Sequence, residues 1–306
     1  MGEAVSFGES SLLESLGRLG GEMTTQEILL LIGHGSRDTE GNEEFLEMVR
    51  QLREKNPRRR IDAAFIELAE PGIQTVLDGY ADPAPKTVWI LPVLFFAAGH
   101  SKVEIPEIVN EARRRLPHVA FHYGAPLGIH PILLEIIHER VAASEEGLPP
   151  CPKGLGSGAA TREETAILLI GRGSSDPDAN GDMHKIARLY WERYSYGWVE
   201  SCFIGVTQPD LPTGLKRCIR LGAKRIIAIP YFIFTGVLIK RIHRIISEEQ
   251  TGHPEVEMTV GDYLGRHPAL LTLIEERFEA IRKGPVLMNC DLCKYRVHDL
   301  VTQTDS

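Results

Sequence analysis

The sequence predicts an α/β protein built from two tandem, similar units, each an open, doubly wound sheet of four parallel strands. Three observations carry this. Short apolar runs ending in glycine or proline alternate with amphipathic segments along 28–143, the same succession returns along 166–284, and the two copies keep register. Residues 28–38 (ILLLIGHGSRD) and 166–176 (AILLIGRGSSD) agree at seven of eleven positions at an offset of 138. That offset also pairs AFIELAEP (64–71) with CFIGVTQP (202–209) and VWILP (88–92) with IIAIP (226–230). GAPLGIHP (124–131) pairs with GDYLGRHP (261–268) at 137, so one single-residue deletion accounts for the whole drift. Self-similarity held at a fixed period is the mark of a repeated structural unit.

Within the first copy, ILLLIG (28–33) is a continuous apolar run, as expected of a strand buried on both faces of a parallel sheet. Phe45, Met48, Val49 and Leu52 recur at i, i+3, i+4 and i+7, which gives one apolar face to a helix over 41–55, stopped by Asn56-Pro57. A second strand is expected over 61–67 and then a helix with Pro71 in its first turn. TVWILPVLF (87–95) is a third buried strand, followed by a helix over 103–115, a short strand near 118–123 and a helix over 131–143. Strands alternating with helices give a flavodoxin-like sheet covered on both faces, with right-handed crossovers and a ligand cleft beyond the carboxyl ends of the strands.

The stretch 144–165 is rich in Gly, Pro, Ser and Ala without apolar periodicity and reads as a linker. The expected organisation is an extension (1–25), a first domain (26–143), the linker, a second domain (166–284) and a tail (285–306). Apolar residues at 43% and charged residues at 25% are the balance of a globular protein. No apolar run approaches the roughly 20 residues needed to span a bilayer, and the first residues lack the basic start and apolar core of a secretory signal, so a cytoplasmic protein is expected. The net charge of −8 argues against general nucleic-acid binding, and any anionic ligand must be met by local basic groups. Five scattered cysteines do not make a disulfide framework.

Three residues of the first copy fall at the cleft edge of the sheet. His34 follows strand one, Glu67 ends strand two and His100 lies beyond strand three. Two imidazoles and a carboxylate suit divalent cobalt, iron, nickel or zinc, and three ligands leave positions open for exchange. The second copy acts as an internal control. It keeps Gly171, Gly173, Ser174, Asp176, Phe203 and Pro209 in register, yet His34 becomes Arg172, Glu67 becomes Gly205, His100 becomes Leu238 and Glu104 becomes Ile242. A unit that dropped chemistry and kept scaffold implies one active half and one supporting half. His130 and His267, each followed by proline, persist in both copies and are expected to be structural.

GHGSR (33–37), FIELAEP (65–71) and GHSKVEIPE (99–107) resemble the motifs of the sirohydrochlorin chelatases of the CbiX and SirB type, in their long, two-domain form. The resemblance covers about 28–283. It implies a chelatase-like fold, a lyase that puts Co²⁺ or Fe²⁺ into sirohydrochlorin for cobalamin or sirohaem, and His34 and His100 as the catalytic, metal-contacting pair with Glu67 assisting. Insertion removes two pyrrole N–H protons while the ion sheds water. Imidazoles with an ordinary pKa near 6.5 can hold the ion, accept a proton and let go. Because this tetrapyrrole is a polycarboxylate, Ser36, Arg37, Ser101 and Lys102 beside the histidines are expected to bind it, with help from helix N-termini. Glu104 is the candidate for a proton or metal route.

The motif C-x-x-C at Cys290 and Cys293 resembles a pair that long members of this family associate with an iron–sulfur cluster. Two cysteines cannot complete a four-thiolate site, so Cys151, Cys202, Cys218 or a second subunit would have to contribute. A competing reading with the same ligands is a non-catalytic cobalt or nickel carrier. A serine hydrolase is not expected because GHGS lacks the G-x-S-x-G elbow, and a nucleotide-binding reading of Gly33 and Gly35 is weak because the third glycine and the ribose-binding acid are missing. Monomer and homodimer both fit a duplicated chain.

Overall fold

A computed structural model describes residues 26–146 and 160–284. The extension 1–25, most of the expected linker and the tail with Cys290 and Cys293 lie outside the described residues, as does Cys151. The first lobe runs β1 (Glu27–Gly33), α1 (Thr39–Lys55), β2 (Arg60–Phe65), α2 (Ile73–Asp78), β3 (Thr87–Pro92), a π-helical turn (His100–Glu104), α3 (Ile105–Arg115), β4 (Ala120–Tyr123) and α4 (Pro131–Glu146). The second runs β5 (Thr165–Gly171), α5 (Pro177–Tyr194), β6 (Trp198–Phe203), α6 (Leu211–Arg220), β7 (Arg225–Pro230), α7 (Val237–Gly252), β8 (Glu257–Val260) and α8 (Ala269–Lys283).

Each sheet is parallel, in the orders β2-β1-β3-β4 and β6-β5-β7-β8. The central strand is buried on both faces, and its alternation sorts the helices. Ile28, Leu30 and Ile32 meet α2 and α3, whereas Leu29 and Leu31 belong to a core with α1 and α4. That second core is continuous with Ile167 and Leu169 of β5 and with α5 and α8, so the lobes share one apolar interior.

The lobe interface is self-complementary, as in a twofold dimer where residue i meets j and j meets i. Lys102 pairs with Asp176 (2.7 Å) and Asp178 (3.0 Å), and its counterpart Lys240 pairs with Asp38 (2.9 Å) and Glu40 (3.7 Å). His130 contacts Glu276 at 3.1 Å and His267 contacts Glu139 at 2.8 Å. Arg140 Nη2 donates to the Gly265 carbonyl at 3.1 Å, and Arg277 Nη2 to that of Leu127 at 2.6 Å. The retained histidines are thus structural: each Nδ1 also accepts the first-turn N–H of the following helix, from Ile132 and from Ala269.

Several boundaries differ from expectation for physical reasons. Pro71 is not in the first turn of α2: Gly72 is the N-cap, and the Pro71 carbonyl instead accepts the Phe65 N–H at 2.9 Å, closing the loop on the strand end. β3 stops at Pro92 rather than 95, because β1 ends and leaves no partner. Leu94 and Phe95 turn to give their carbonyls to Leu127 and Gly128. The helix expected from 103 is preceded by the π-helical turn, which begins at His100. Ser144–Glu146 extend α4 and Thr165 opens β5, so the linker is shorter than expected at both ends. Among the described residues no helix is long and apolar enough to cross a membrane.

Candidate active site

The loops after β1 and β2 are drawn together by a glycine. Gly35 sits at φ +88°, and a Cβ there would lie 1.8 Å from the Glu67 carbonyl oxygen, so only glycine allows the approach. The strand ladder continues past β2 as Ile66 N–H to Gly33 O (2.9 Å) and Glu67 N–H to His34 O (3.1 Å), which puts the Glu67 side chain beside the imidazole. The π-helical turn, a wide coil common at functional sites, brings His100 from the third strand tip. The His34 and His100 rings meet edge to face at 4.9 Å, and His34 Nε2 is 3.7 Å from Glu67 Oε1. One ligand atom from each of His34, Glu67 and His100 lies within 4.8 Å of the others, close enough for side-chain rotation to bring all three to one ion at ~2.1 Å.

Hydrogen bonds aim both imidazoles. His34 Nδ1 faces the Gly35 carbonyl at 3.0 Å, which assigns the proton there and leaves the Nε2 lone pair outward. Burial, together with Arg172 and His100, holds its pKa below the ordinary value, against the pull of Gly35 and Glu67, so the neutral, ligating form is favoured. His100 Nδ1 is 2.6 Å from Glu104 Oε2, the carboxylate-behind-histidine arrangement that fixes the orientation of the ring. Glu104 therefore stands behind His100, while Glu67 faces the Nε2 edge of His34.

The two imidazoles line a cleft of about 430 Å³ between the lobes, with Glu67 and Glu104 just outside its lining. Its walls are largely apolar: Phe45, Phe95 and Phe96 from the first lobe, Tyr231, Phe232 and Phe234 from the second. Its charged lining consists of Arg37 and Arg172, with no carboxylate among the lining residues. Ser36 lies in the wall, where its hydroxyl accepts the Asp38 N–H at 3.0 Å and keeps its own hydrogen to give.

Two of the four expected substrate donors already have partners within the protein. Lys102 is turned toward Asp176 and Asp178 of the other lobe, so its charge is spent across the interface. Ser101 touches the cleft, but its hydroxyl is engaged by the Ala98 N–H and carbonyl. Cys202 and Cys218 are buried in the second lobe's outer core, and burial pushes both thiols up, Cys218 to about 12, so neither is placed to complete a cluster.

Sequence reasoning missed Leu68, a half-exposed apolar side chain in the cleft wall held at φ +62°. Its counterpart Val206 has φ +64°, and such left-handed, non-glycine residues store strain that surrounding structure must hold. It also missed the contact between Arg172 Nη1 and His34 Nε2 at 2.8 Å. The register equates these two positions, yet nothing in a linear pattern says that counterparts touch.

Fold and site together define a two-lobed α/β protein with a cluster of two histidines and a glutamate that could hold a metal ion at the strand tips of one lobe, and an apolar, cationic cleft. The chain belongs to the CbiX family, whose model matches twice, over 28–144 and 166–281. It is 40% identical over 270 residues to a sirohydrochlorin cobaltochelatase of Priestia megaterium, covering 88% of this chain and 84% of that one. It is 28% identical to a sirohydrochlorin ferrochelatase of Bacillus subtilis, covering 79% and 87%. The structure of SirB from Bacillus subtilis with Fe3+ matches with a TM-score of 0.69 at 27% identity, over 84% of this chain and 95% of that one.

Proposed function

We propose that this chain inserts a divalent metal ion, Co²⁺ or Fe²⁺, into sirohydrochlorin with release of two protons. The observation that carries it is the cluster of His34, Glu67 and His100, whose two imidazoles line a cleft where the charged lining among the described residues is Arg37 and Arg172. A flat, apolar ring edged with carboxylates fits such walls, with Arg37 and Ser36 meeting the carboxylates and the aromatic side chains meeting the ring. The same nitrogen and oxygen donors suit both ions, and the 40% identity to a protein named a cobaltochelatase puts Co²⁺ first.

The metal is a substrate, so its ligands must hold it briefly. His34 Nε2, His100 Nε2 and Glu67 take the ion from water. As it passes to the ring nitrogens, the imidazoles are left as free bases beside the departing pyrrole protons. Glu104, bonded to His100 Nδ1, stabilises the imidazolium that forms there and gives the proton a way out. Insertion transfers no electrons, so an iron–sulfur group at Cys290 and Cys293 has no step in it.

Mixing the protein with sirohydrochlorin and Co²⁺ tests the reading through the visible spectrum of the tetrapyrrole. Insertion changes that spectrum faster than the uncatalysed reaction. Co²⁺ binding with the spectrum unchanged would identify a carrier instead.

A further inference from the structure

We infer that Arg172, supplied by the second lobe, is a displaceable guard on the metal site: its guanidinium holds the His34 Nε2 lone pair until an ion takes it. This rests on the reading of His34 as a metal ligand. The His34 imidazole has one lone pair to offer, because Nδ1 is turned to the Gly35 carbonyl at 3.0 Å. Arg172 Nη1 lies 2.8 Å from Nε2, within direct hydrogen-bonding range. A guanidinium has donors and no lone pair, so it cannot share an ion as a ligand and must leave when one arrives.

The surroundings make leaving easy. Arg172 is an exposed residue with no carboxylate partner among the described residues, and a single bond to a neutral ring holds its head. It stands on the tip of β5 beside Gly173, whose φ of +87° and approach to the Gly205 carbonyl repeat the geometry of Gly35. The second lobe therefore presents position 172 to the site as the first presents position 34. With Gly205 and Leu238 in place of Glu67 and His100, that side offers a positive charge where the first lobe offers donors.

A competitor for the lone pair lowers apparent metal affinity by the fraction of time it occupies the nitrogen. For a protein that must surrender its ion to a ring, this weakening is useful. It also lets Arg172 re-form its bond to the imidazole once the ion has moved on, so that the ion is not recaptured.

The test is Co²⁺ binding, with the metal alone, to the full chain as wild type, Arg172→Met and His34→Ala, measured by calorimetry and by the visible absorption of bound Co²⁺. Arg172→Met keeps the apolar stem and removes the competing donor. Affinity should tighten about threefold to tenfold, the range set by one net hydrogen bond, with the Co²⁺ band unchanged in form because the ligands are the same. Damage to the scaffold would weaken binding, so the direction separates a guard from a merely structural arginine. Equal or weaker binding by folded Arg172→Met, with His34→Ala losing the ion, overturns the guard alone. Wild-type binding by His34→Ala overturns the ligand reading itself.

Discussion

Gly35 and Gly173 share the same left-handed φ and the same close approach to the loop after the second strand of their lobe, yet the residues just ahead of them are His34 and Arg172. The comparison separates two demands usually tangled in one site. What the backbone needs, both lobes keep: the glycine, the aspartate caps Asp38 and Asp176, the histidines that cap helices and cross the interface. What the chemistry needs, one lobe keeps. The other contributes a wall, a cation and half of a shared core.

The sharpest way to break this division is to remove the histidines only the first lobe has. His34→Ala and His100→Ala should each lower insertion at least about 100-fold, the usual scale of acid–base catalysis, with thermal unfolding unchanged. His130→Ala and His267→Ala, which touch residues held by both lobes, should do the reverse, lowering the melting temperature while kcat stays within about threefold. Comparable rate losses in all four would erase the distinction.

Glu104→Gln should cost about 10- to 100-fold in Co²⁺ affinity or turnover, the usual effect of losing the carboxylate behind a ligating histidine. Titration of Co²⁺ into the variant would show it. The swapped lysines probe the interface itself. Lys102, only 16% exposed, should lose about 1 kcal/mol of stability as Lys102→Ala in denaturant melts, whereas Lys240→Ala, 62% exposed, should lose less. The smallest effect expected is on pH dependence. Burial is the leading cause that depresses the pKa of His34, His122, His130 and His138. The unfolded chain therefore binds more protons just below the ordinary histidine value near 6.5, and stability should fall as pH drops through that window. The acid limb of kcat/KM should likewise lie below 6.5. A limb above it would mean that His34 gains, rather than loses, proton affinity in the folded protein.

Much of this was legible in the chain. Apolar runs such as ILLLIG report burial directly, and the constant offset exposed the repeat and, through its failures at His34, Glu67 and His100, the asymmetry of the site. Local patterns could not reach what depends on distant partners. Lys102 reads as a free cation because Asp176 and Asp178 are more than 70 residues away. The end of β3 depends on where β1 stops pairing, and the π-helical turn at His100 precedes the apolar periodicity that marks α3. The different placement of Glu67 and Glu104 also required coordinates, since only distance shows that one carboxylate faces His34 Nε2 and the other stands behind His100 Nδ1.

The claim that the leading lobe alone holds the ion is tested most directly by anomalous scattering from crystals of the protein soaked with Co²⁺. A peak between His34, Glu67 and His100, with none on the Gly205 and Leu238 side, is the predicted result. A principal peak bound elsewhere, with those three side chains left unengaged, would contradict it.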